Sequence, residues 1–78
     1  MDIIKVINLF NKVNSTNWCL IKQKEQASSF APGLLKLSIK LIDPLDGTII
    51  ALYDETSFNE NYSNLEYSIL EFLFNYGK

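Results

Sequence analysis

Seventy-eight residues with 47% apolar content and a formal net charge of −2 make one small domain with a core and leave no room for a second. That composition excludes disorder, which needs low hydrophobicity and high net charge, and no apolar run reaches the ~20 residues that cross a bilayer. The chain has neither histidine nor arginine, so it lacks the common general base, the commonest metal ligand and the bidentate clamp for phosphate or carboxylate. The opening Met-Asp-Ile-Ile-Lys lacks the basic stretch and the continuous apolar run expected of a secretory signal, and the single cysteine, Cys19, cannot close an intramolecular disulfide. A cytoplasmic, reducing setting is therefore expected.

Residues 2–13 read as the first helix. Ile3, Val6, Ile7, Phe10 and Val13 fall on one stripe, with Asp2 placed to accept from the first-turn amides and to suit the positive helix end. Lys5, Asn8 and Lys12 occupy the opposite face, and the run 14–17, Asn-Ser-Thr-Asn, ends the helix because these side chains compete for backbone hydrogen bonds.

Residues 18–26 read as a first strand of open phase. Either Trp18 and Leu20 or Cys19 and Ile21 face the core, because both alternate sets begin apolar and end polar. Cys19, without a histidine partner in this apolar strand, reads as a small buried hydrophobe rather than a nucleophile. Residues 27–33 form a small, polar connection broken only by Phe30.

The stretch 34–53 organises the chain. Leu35, Leu37, Ile39 and Leu41 alternate with Lys36, Ser38 and Lys40, the period of a strand with one wet face. Asp43-Pro44-Leu45-Asp46-Gly47 supplies turn chemistry, and the β-branched, apolar run 48–53 returns as the second arm of an antiparallel hairpin. Its two aspartates lack the further ligands of a calcium loop, so neither metal nor cofactor is expected.

An acidic connection then leads to the last helix. Two capping boxes compete for its start, Ser57–Glu60 and Ser63–Glu66. The second is favoured because Tyr62 and Tyr67 then stand at the staple positions. Leu65, Ile69, Phe72, Leu73 and Tyr76 make the inward stripe, with Gly77 suited to the C-terminal cap. Leu70 and Phe74 broaden the apolar face beyond what one sheet face needs. The result is an α+β fold in one domain, residues 1–78, with order α-β-β-β-α. It is a three-stranded antiparallel meander with both helices on one face.

Charge is divided between the halves. Residues 1–42 carry six lysines against Asp2 and Glu25, whereas residues 43–77 carry seven acids and no base. Such asymmetry signals either a charged partner or two halves that attract each other in the fold. The element order is also that of double-stranded-RNA-binding domains, but the last helix offers Glu66 and Glu71 where that function needs clustered cations. Lys22, Lys24, Lys36 and Lys40, with Trp18, would be the patch for a weak nucleic-acid contact. A protein contact fits better: Asp54, Glu55, Glu60, Glu66 and Glu71 interleave with Phe58, Tyr62 and Tyr67, aromatic anchors rimmed by charge.

In this arrangement the chain resembles small phage-encoded anti-CRISPR proteins of the type II-A kind, which are short, acidic and single-domain. The resemblance rests on element order over most of the chain. It implies a non-enzymatic inhibitor, acting in a bacterial host cell on a larger nucleoprotein complex. It further implies that Asp46, Asp54, Glu55 and Glu60, on the hairpin loop and the connection to the last helix, contact that complex. The alternative expectation is a self-associating assembly subunit, a homodimer or larger, joined through apolar excess such as Phe30, Leu70 and Phe74.

Overall fold

The alternation in residues 35–41 decides the layout, because Leu37, Ile39 and Leu41 are wholly buried while Ser38 and Lys40 between them are half-buried and Lys36 before them is exposed. The computed structural model describes residues 2–76. Its elements are α1 (Ile3–Asn14), β1 (Cys19–Gln26), β2 (Leu35–Asp43), β3 (Thr48–Ser57) and α2 (Ser63–Asn75). The expected α-β-β-β-α order is thus the order formed. β2 lies in the middle and pairs antiparallel with both neighbours. Ile3 and Ile7 of α1 and Leu65, Ile69 and Leu73 of α2 join the inward row of β2 in one core. Both helices therefore cover the same sheet face. An antiparallel sheet tolerates a wet second face.

Register settles the phase of β1. Leu41, Ile39 and Leu37 stand opposite Leu20, Lys22 and Lys24, so Trp18 and Leu20 turn inward. Cys19 and Ile21 turn outward, and Cys19 is exposed rather than a buried hydrophobe. Trp18 wins the choice because it is the larger apolar group. It is 6% exposed, stacked on Phe10 at 4.9 Å and met edge-on by Tyr76 at 5.1 Å. Between β2 and β3 the register slips: Leu41 pairs with Ala51, but Ile42 pairs with Ile49. The extra residue, Ile50, makes a bulge and is half-buried against the core.

The hairpin turn uses the expected residues. Gly47 takes φ 75°, where a side chain is disfavoured, and its amide donates to the Asp43 carbonyl at 2.8 Å. Both aspartates act as turn acceptors, Asp43 Oδ1 from the Leu45 amide and Asp46 Oδ1 from the Thr48 amide.

At the start of α1, Asp2 accepts from the Ile4 amide as a cap should. Near the end of α1, beside its buried stripe, lies a second device. The Asn11 side chain accepts from the Trp18 amide at 3.0 Å and the Thr16 hydroxyl at 2.7 Å, and donates to the Trp18 carbonyl at 2.9 Å. One amide thus ties α1 to the first residue before β1.

The start of α2 at Ser63 is as expected, but its capping is not. Ser63 is the first helical residue, its amide bonded by Asn61 Oδ1. Glu66 turns away to Lys22, and the Tyr62 hydroxyl donates to the Gln23 carbonyl of β1. The capping box does not form, because the Glu66 carboxylate finds its partner on the sheet. Gly77 lies outside the described residues.

Candidate protein-contact surface

Residues 54 and 55 are neighbours in a strand, so their side chains face opposite sides of the sheet. Asp54 joins the outer face opposite Ser38, and Glu55 the inner face opposite Leu37. Asp46 sits at the hairpin tip, whereas Glu60 follows the other end of β3. A strand of ten residues separates them by about 30 Å. The four acids are therefore not brought together.

Most of the acidic half is engaged within the chain. Lys22 meets Glu66 at 2.6 Å, Lys24 meets Glu60 at 2.6 Å, and Lys36 lies 3.9 Å from Asp54. These pairs fasten the basic half to the acidic half and are partly exposed, so each contributes little. Lys22 also lies over the Tyr62 ring, 5.6 Å from its centre. The four lysines are divided as well: Lys22 and Lys24 belong to the helix-covered face, Lys36 and Lys40 to the outer one. Phe30 and Phe58 are exposed, the latter beside Gly33. Asp46 holds one electrostatic peculiarity. Hydrogen bonds from Thr48, its hydroxyl first and then its amide, keep the carboxyl below the ordinary aspartate range.

The apolar surplus is gathered instead. α1 and α2 run side by side, with Phe10 and Tyr76 at the same end, 5.4 Å apart. On the side turned away from the sheet they enclose an open groove of about 840 Å³. Half-buried Val6 and Leu70 form its floor. Its walls are Leu9 and Val13 of α1, 62% and 73% exposed, and Tyr67 and Phe74 of α2, 69% and 79% exposed. Solvated apolar side chains clustered in this way make the groove a candidate contact surface.

Comparison with protein-family models, curated proteins and solved structures finds no match for this chain.

Of the residues expected to bind a partner, only Tyr67 lies in the groove; Leu70 and Phe74, expected to drive self-association, lie there too. The contribution of α1 was missed. Val6, Phe10 and Val13 read as its buried stripe, yet only Ile3 and Ile7 are buried. The available signal was Leu9, an apolar residue on the lysine side of the stripe. Among the described residues no three acidic or thiol groups gather to hold a metal, and no helix is long and apolar enough to cross a membrane.

Proposed function

We propose that this chain is a small, non-enzymatic protein-binding module of the inhibitor or adaptor kind, working in the cytoplasm, and that it engages protein through the outer face of α1 and α2. The observation that carries this reading is the α1–α2 groove, whose walls leave four large apolar side chains largely in water. Leaving that area solvated forgoes about 25 cal/mol for every Å² that a partner would cover. The lack of histidine and arginine supports the non-enzymatic part of the reading, and the exposed free thiol of Cys19 suits a reducing compartment. A phage inhibitor of a nucleic-acid-processing complex is the particular form that the element order suggests.

The test is affinity capture with three tagged proteins side by side: wild type, the groove variant Leu9→Ser/Phe74→Ser, and the acid variant Asp46→Asn/Glu55→Gln. A stoichiometric companion lost with the groove variant and kept with the acid variant supports the reading. The reverse pattern moves the contact to the acidic surface and sinks it. A second reading, the self-associating assembly subunit, is favoured by the same groove, where Leu70 and Phe74 meet.

A further inference from the structure

The groove has rims of opposite sign. α1 carries Lys5 and Lys12 and no acid, whereas α2 carries Glu66 and Glu71 and no base. At 100° per residue, Lys5 and Lys12 lie just beyond Leu9 around α1, and Glu71 lies just beyond Tyr67 around α2 in the opposite rotational sense, so each stands on the rim of the groove. Glu66 is occupied by Lys22. Among the described residues, Lys5, Lys12 and Glu71 make no ion pair. The groove is thus apolar along its floor and walls, with an unpaired basic margin on one side and an unpaired acidic one on the other.

We propose, resting on the reading of the groove as a protein-contact surface, that its occupant is a second copy of this chain. A two-fold axis along the groove sets α1 of each copy over α2 of the other. The two helices run in the same direction, with Phe10 and Tyr76 at one end. Such an axis keeps the level along the groove, and Glu71 of one copy comes opposite the Lys5–Lys12 stretch of its mate. The contact occurs twice by symmetry. An unrelated partner would need its own apolar face flanked by one acidic and one basic margin; a second copy brings its exposed apolar walls and both margins in the right order. Two helices of 12 and 13 residues offer a face of about 20 by 20 Å. That is the small end of specific interfaces, so dissociation in the micromolar range is expected.

The test is sedimentation equilibrium of the full chain from low micromolar to near-millimolar concentration. The wild type should approach twice its 9.0 kDa. Lys5→Glu/Lys12→Glu and Glu71→Lys should each self-associate about tenfold or more weakly, because like charges then face each other. An equimolar mixture of those two variants should regain the dimer, since every basic margin again meets an acidic one. A wild type that stays monomeric throughout, variants that pair as well as the wild type, or a mixture that does not recover each overturn the proposal. If the wild type is monomeric yet Leu9→Ser/Phe74→Ser loses a captured partner, the second copy falls and the groove stands as a contact surface for another protein. If those serines change neither the mass nor the capture, the groove reading falls as well.

Discussion

The two sides of the helical layer are built from the same residue types and meet opposite fates. Toward the sheet, Ile3, Ile7, Leu65, Ile69 and Leu73 are buried against Leu37, Ile39 and Leu41. Away from it, Leu9, Val13, Tyr67 and Phe74 remain exposed. The difference lies in what is available to cover them. A three-stranded sheet offers one face to two helices, and that face is filled by one stripe from each. The apolar residues beyond the stripe face away from the sheet and stay largely in water. Surplus on the outer side is therefore poor evidence for a thicker core and good evidence for a contact.

The sharpest way to test this contrast is to injure each side in turn. Ile39→Ala removes a fully buried side chain at the centre of the sheet and should cost about 3 kcal/mol in urea unfolding. Serine at Leu9 should change the stability of the monomer by no more than ~0.5 kcal/mol. Equal losses at the two positions would erase the distinction. Next in size is Asn11→Ala, which removes three hydrogen bonds between α1 and the approach to β1. About 2 kcal/mol should be lost, with the Trp18 fluorescence of the native state altered because its backbone anchor is gone.

Smaller effects are expected at the charged surface. Lys22→Ala should cost about 0.5 kcal/mol or less, and the difference from wild type should shrink in high salt. A loss that salt leaves untouched would point to the packing of the Lys22 stem on Tyr62 instead. The smallest concerns Asp46. Its pKa is lowered in the folded chain, so its contribution to stability is present above the ordinary aspartate value and fades as pH falls through the lowered one. Carboxyl carbon shifts followed through an acid titration should show Asp46 titrating below the ordinary range, and Thr48→Val should move that midpoint upward.

Much of the fold was legible because single elements announce themselves. The alternation from Leu35 to Leu41 fixes β2 and its inward row, and the Asp43–Gly47 chemistry fixes the turn. What failed depended on partners distant in the chain. The phase of β1 was balanced in sequence and was decided by Phe10 and Tyr76 closing on Trp18. The capping box at Ser63 lost to tertiary contacts that drew Glu66 and Tyr62 toward β1. The bulge at Ile50 lies within an unbroken apolar run, which carries no mark of phase. The acidic site was over-read: Asp54 and Glu55 adjoin in a strand and cannot share a face. Charge asymmetry between the halves was legible, and three ion pairs show how the fold uses it. Half of the groove was visible as surplus at Leu70 and Phe74. Its other half, on α1, was absorbed into a stripe drawn too wide.

The most direct test of the outer helix face is a dilution series followed by amide chemical shifts over residues 2–76. The account predicts concentration-dependent shifts at Val6, Leu9, Val13, Tyr67, Leu70 and Phe74, with Asp46, Asp54 and Glu60 unmoved. Shifts confined to the hairpin tip and the segment before α2 would contradict it and return the contact to the acidic surface.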